Sequence, residues 1–266
     1  MSLQMSVVLC QGSGLLDAAA LARALARRFP ELPALSEVSV KDGIISASWD
    51  EGINIAVSST AAPWPWSDLE GPCASGALWP PEEAEGALRA HSSHLIVTVF
   101  GELEPLALCS LLTQLTTAVL DEADGALGVF WANAALVAPK PLFIEFATEM
   151  MPEDLPLPIW VDFRVGWSGE RISAGFTCGL AKLGHREFEA QEVPEKPSEL
   201  RERLYDLAAY VLKQGPVLKD GDTLGRDEEE RIRVAYTPSA FGLEGEVITL
   251  QYEQPSSKKP WWKLWQ

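Results

Sequence analysis

The run His94-Leu-Ile-Val-Thr-Val-Phe100 offers almost no polar side chain to water. A short continuous apolar run fits a strand enclosed by neighbours better than a surface helix. Such a strand needs partners on both edges and cover on both faces, so the remaining segments must supply a sheet and the helices that back it. Residues 5–10, 37–40, 44–49 and 53–58 read as strands before it, with Asp50-Glu51-Gly52 as a hairpin turn. After it come strands at 127–131, 159–167, 171–179, 221–226, 232–236 and 246–252. Helices are expected at 15–29, where Ser13 or Asp17 could cap the start, and at 80–90, 104–122, 141–150 and 198–213. Residues 61–81, rich in Pro and Trp, read as loop.

Helices interleaved with hairpins, and not strictly alternating with single strands, predict an α+β fold with mixed or antiparallel sheets backed by helices. The element order on either side of Ser93 is similar, which leaves open two diverged α/β halves. The division expected from this is 1–92 for an N-terminal half, 93–254 for a C-terminal half, and 255–266 for a basic, Trp-rich tail.

Charge narrows the function. The chain has 38 acidic against 21 basic residues, a net −17 and a pI near 4.6. A phosphate backbone demands clustered Lys and Arg, so nucleic acid is an unsuitable partner. A protein with a basic surface is a suitable one. The tail Pro255-Ser-Ser-Lys-Lys-Pro-Trp-Trp-Lys-Leu-Trp-Gln266 runs against this balance with three Lys and no acid, and without it the body carries −20. Its tryptophans could dock on the body, on a partner or, weakly and peripherally, on an anionic membrane. Residues 1–14 lack the basic start of a signal peptide. The longest apolar stretch, 106–120, is short for a membrane span and carries Ser110, Thr113, Gln114, Thr116 and Thr117. A cytoplasmic location is expected. The scattered Cys10, Cys73, Cys109 and Cys178 suit buried free thiols in a reducing compartment.

Motifs for chemistry are sparse. His91-Ser-Ser-His94 has a metal-like spacing but straddles a helix end and a strand start, with no third ligand in sequence. Gly12-Ser13-Gly14 lacks the remaining glycines and lysine of a phosphate loop. Asp220-Gly221-Asp222 suits a tight turn, and residues 227–230 suit a solvated charge run. No catalytic residue, metal ligand or cofactor is assigned.

Several strings together resemble the family known as domain of unknown function 4261: His94-Leu-Ile-Val-Thr-Val, Gly125-Ala-Leu-Gly-Val-Phe-Trp131, Leu157-Pro-Ile-Trp-Val-Asp-Phe-Arg-Val165, Gly179-Leu-Ala-Lys-Leu-Gly184 and Val217-Leu-Lys-Asp-Gly-Asp-Thr-Leu-Gly225. The likeness is clearest from about residue 90 to 252. It implies a bacterial protein of no assigned activity, associated with type VI secretion and contact-dependent toxin systems among effector and immunity partners.

Two functions are therefore expected. The first is a non-enzymatic acidic interaction protein, an immunity or accessory factor that meets a basic protein through Trp64, Trp66, Asp68, Trp261, Trp262 and Trp265. The alternative is an enzyme or small-molecule binder with a cleft lined by Trp131, Asn133, Trp160, Asp162 and Arg164. Oligomeric state is left open.

Overall fold

A computed structural model describes residues 2–49, 52–225 and 231–252. The fold is α+β, with two sheets, and divides into two compact units, 1–162 with 178–184, and 163–177 with 185–266.

The first unit is built on a seven-stranded sheet. In chain order its elements are β1 (Ser2–Cys10), α1 (Ala18–Arg28), β2 (Ser36–Lys41), β3 (Ile44–Trp49), β4 (Ile53–Thr60), α2 (Trp66–Ser75), α3 (Pro81–Arg89), β5 (Ser93–Gly101), α4 (Pro105–Glu122), β6 (Ala126–Trp131), β7 (Leu136–Pro139), α5 (Lys140–Met150) and the one-turn α6 (Leu157–Trp160). The spatial order is β2-β3-β4-β5-β1-β6-β7, and every pair is antiparallel. The run from His94 to Phe100 thus lies in the central strand, β5, as its composition demands. Because β5 pairs with β1 from Ser2↔Gly101 to Cys10↔Ser93, the expected boundary near Ser93 falls inside one sheet. Residues on both sides of it share a core, so 1–92 is not a separate half.

Register divides the sheet into two faces. On one, Val8, Ile45, Ala47, Ile55, Val57, Leu95, Val97, Val99 and Val129 are buried under α1, α4 and α5. There α4 is enclosed on nearly every side, yet it carries three buried threonines. Thr113, Thr116 and Thr117 each donate to the carbonyl four residues back, at 2.9, 2.6 and 2.8 Å, so no hydroxyl is left bare. Asp17 caps α1 by accepting from the Ala20 N–H at 2.8 Å. On the other face, Val7, Leu9, Phe130 and Val137 pack under α2 and α3 with Leu69, Cys73, Trp79, Ala84 and Leu88. The stretch expected as loop therefore contains a helix, α2. Burial of Leu69 and Cys73, one turn apart, outweighs the poor helix propensity of Gly71 and Pro72.

The second unit holds β8 (Asp162–Gly169), β9 (Ile172–Cys178), β10 (Phe188–Val193), α7 (Pro197–Gln214), β11 (Thr223–Leu224), β12 (Ile232–Pro238) and β13 (Glu246–Tyr252). Its order is β11-β12-β13-β10-β9-β8, with β10 and β13 parallel and the β11–β12, β12–β13 and β9–β10 pairs antiparallel. Leu200, Leu204, Ala208 and Val211 form the buried stripe of α7. Gly215, at φ 84°, ends the helix in a backbone conformation that favours glycine.

Candidate functional site

The Trp64 loop is tied down from behind by both histidines. His91 sits at the end of α3, where Nδ1–H donates to the Leu88 carbonyl and Nε2 accepts from the Trp64 backbone N–H at 2.7 Å. His94 Nδ1 bonds the Ala62 carbonyl at 2.7 Å, and its ring meets Trp64 edge-on with centroids 5.1 Å apart. One nitrogen of each imidazole is thus held by a backbone group of the same loop. Among the described residues no group of three His, Cys, Asp or Glu is placed to hold a metal. Trp64 and Trp66 are half-buried against the α2–α3 core, and Arg89 lies 4.0 Å over the Trp66 ring. Asp68 is exposed and accepts from Ser67 Oγ at 3.1 Å. Trp261, Trp262 and Trp265 lie outside the described residues.

The proposed cleft does not form as a set. Trp131 is fully buried against Phe143, with ring centroids 5.8 Å apart. Trp160 is 1% exposed and donates its indole N–H to Thr113 Oγ1 at 2.7 Å. Asn133 donates to Gln4 Oε1, and Asp162 is buried. Arg164 belongs to the second unit, where its guanidinium lies 5.8 Å from the Phe176 ring centre. Both indoles are core side chains because a large apolar ring gains most by leaving water altogether. Sequence alternation alone does not distinguish this from a cleft wall.

The glycine turn after β1 is no anion cradle either. Ser13 Oγ donates to Asp124 at 2.8 Å, and a carboxylate in front of the turn repels phosphate. Asp222 and Asp220 accept from the Lys219 and Tyr236 N–H groups at 2.8 and 2.9 Å, as a turn requires. The charge run 227–230 lies outside the described residues.

A surface the motifs do not reveal emerges from the register. The helices α2 and α3 cover only the β1-β6-β7 side of their face. On β3, β4, β5 and the first half of β1, the same face carries Ile44, Ser46, Ser48, Asn54, Ala56, Ser58, Ile96, Thr98, Phe100, Leu3 and Met5. Nine are half-exposed, and Leu3 and Ile44 are 62% and 39% exposed. None of these eleven is ionisable; charge enters only at the edge strand β2, where Lys41 pairs with Ile44 and the Glu37 carboxylate accepts from Ser48 Oγ at 3.4 Å. Solvated sheet faces ordinarily carry charge, and charge is what interface centres lack. The sequence signal is the uniform run of Ser, Ala and Asn at the alternate positions of β3 and β4, legible only once pairing aligns them with the apolar residues of β5 and β1.

No helix among the described residues is long and apolar enough to cross a membrane. Searches of curated proteins and of solved structures give no match. The family comparison covers less than the motif resemblance does, from within β9 to within β13: residues 176–251 match the model of the family described as Domain of unknown function (DUF4261).

Proposed function

We propose that the chain is a non-enzymatic protein-interaction module whose uncovered sheet face seats a partner protein with an apolar contact patch ringed by basic residues. The observation that carries this reading is the absence of any ionisable side chain from eleven aligned face positions, in a chain that is 22% charged. A flat surface of Ile, Phe, Leu, Met and small hydroxyl residues desolvates at little cost, whereas a charged one does not. The net −17 of the chain then supplies long-range attraction for a basic partner and raises its rate of encounter. Service as an immunity or accessory protein beside a secreted basic toxin is the specific role in keeping with this chemistry and with the family likeness.

The test is a paired capture from the source cells, with the wild-type chain and with Ser46→Lys/Thr98→Lys, two face positions kept apart by β4. Both positions are half-exposed, so the variant should keep its unfolding free energy within the range of ordinary surface changes, about 0.5 kcal/mol for each. The wild type should retain one stoichiometric basic protein, bound more weakly at high salt, and the variant should bind it at least about tenfold less tightly. Equal binding by both chains, or a retained partner that is acidic and insensitive to salt, refutes the reading.

A further inference from the structure

The two edges of the seven-stranded sheet are finished differently. At one end β7 is four residues long, terminates in Pro139 and has Leu136, Val137 and Ala138 buried. Brevity and proline are ordinary means of closing an edge to other chains. At the other end β2 runs for six residues, every one of them exposed, and among the described residues no strand pairs with its outer side. Val38 and Val40 are 46% and 64% exposed. The turn Asp42-Gly43, at φ 51° and 79°, closes the β2–β3 hairpin in two residues. Such a turn makes Lys41 and Ile44 a hydrogen-bonded pair, so Val40, one position back, directs its N–H and C=O to the open edge.

Two charges decide what that edge accepts. Lysine on an edge strand repels most approaching strands, and a bulge interrupts the ladder; β2 has both, the bulge between Ser36 and Ser39. Glu37 lies in that bulge at φ 52°, a left-handed conformation that glycine adopts freely and a side chain only at a cost. Its carboxylate reaches Ser48 Oγ, and Lys41 pairs with Ile44, so both charges stand on the face that α2 and α3 leave uncovered. The segment Glu37-Val-Ser-Val-Lys41 is its own complement. Laid antiparallel on a copy of itself about Ser39, it sets Glu37 against Lys41 and Val38 against Val40, each twice. Charges that reject an unrelated strand therefore match a second copy of this one.

We infer that two copies of the chain join edge to edge through β2, antiparallel, with Ser39 at the twofold axis. Val40 then bonds the partner's main chain beside Val38, and Lys41 meets the partner's Glu37. Pairing of this kind draws affinity from main-chain bonds, while cross-strand side chains set its register. The contact is isologous, so it uses up β2 on both copies and growth stops at two. The net −17 opposes approach at low salt, but at physiological ionic strength it is screened beyond about 8 Å, whereas the pairs at β2 are in contact. Residues paired across antiparallel strands share a face, so both uncovered faces come to lie on the same side of one continuous sheet. A partner of the kind proposed above then meets two seats at once, though the pairing itself does not depend on that reading.

Sedimentation equilibrium of the purified full chain, with no other protein present, tests the pairing apart from any partner. The wild type should show a concentration-dependent equilibrium between monomer and dimer. Glu37→Lys and Lys41→Glu each set like charges opposite one another twice, and each should weaken association by about tenfold or more. An equimolar mixture of the two variants restores opposite charges at both positions and should dimerise as the wild type does. Both residues are exposed, and unchanged circular dichroism and melting show that the variants remain folded. A wild-type chain that stays monomeric at every concentration overturns the inference. So does a dimer that both variants leave intact, one lost instead in Thr98→Lys on the uncovered face, or a mixture that associates no better than its components.

Discussion

Cys10 and Cys73 lose their solvation on folding, which pushes both thiols up to about 11; Asp124 and Glu85 respectively add a smaller push. Cys109, wholly enclosed in α4, is raised well above the ordinary thiol for the same reason. Since the thiolate is the nucleophile, these three should resist Ellman's reagent at neutral pH in the native chain. No more than one thiol, Cys178, should titrate rapidly before denaturant is added, and four after it. His185 shows burial acting on a base. Desolvation lowers its pKa below the ordinary 6.5, so the unfolded chain binds the proton more readily. Its effect is nil well above pH 6.5 and turns destabilising as pH falls through that value, levelling off below the folded pKa. His185→Gln should flatten the acid side of a melting-temperature profile. His91 acts through a hydrogen bond, its Nε2 receiving the Trp64 N–H. Removing that acceptor in His91→Phe leaves a part-buried N–H unmet and should cost about 1–3 kcal/mol in denaturant titration.

Between elements, Asp121 adds a polar tie between α1 and α4. Burial opposes ionisation of Asp121, yet hydrogen bonds and charge from Arg28 and Arg27 prevail and set its pKa below the usual value. Arg28 Nε reaches it at 2.8 Å and Arg27 at 3.3 Å, while Arg27 also meets Glu122 at 3.1 Å. A depressed carboxylate pKa stabilises above the unfolded value and loses that contribution as pH drops through the folded one. With both arginines substantially exposed, Asp121→Asn should cost no more than about 1 kcal/mol, and its deficit should vanish in acid. The join from α4 to β6 is stricter. Gly125 has φ 69°, and a Cβ there would lie 1.9 Å from the Gln11 carbonyl oxygen, whose backbone N–H bonds the Gly125 carbonyl. Gly125→Ala should therefore destabilise by more than about 1 kcal/mol, with a lowered denaturation midpoint as the measure. Most elements were readable because they are short-range events: the apolar run of β5, the buried stripe of α7, the Asp17 cap. α2 was not, since Pro65, Gly71 and Pro72 argue locally for loop, and only the core beneath Leu69 and Cys73 makes it a helix. Strands β7 and β10 also escaped notice. Each is short, and its place depends on neighbours distant in sequence.

For the whole molecule, what a residue does depends on which side of a sheet it occupies and on what covers that side. Trp131, Trp160, Trp64 and Trp66 were all plausible contact residues by type, yet the first two are sealed in the core and the others brace a loop on α2 and α3. The eleven-residue face was invisible for the opposite reason, being assembled from four strands of which no single one is unusual. By itself, the sequence determined the α+β class, the enclosed strand at the heart of the chain, the acidic balance and the likeness to one family of unknown function. Each follows from local periodicity, composition or motif, which need no knowledge of distant contacts. Only the tertiary structure decided where the two units divide, which aromatics are core, and that the β3, β4, β5 and first-half β1 part of one sheet face is left without helix cover. Those depend on strand order and register, which long-range pairing sets and no local pattern encodes.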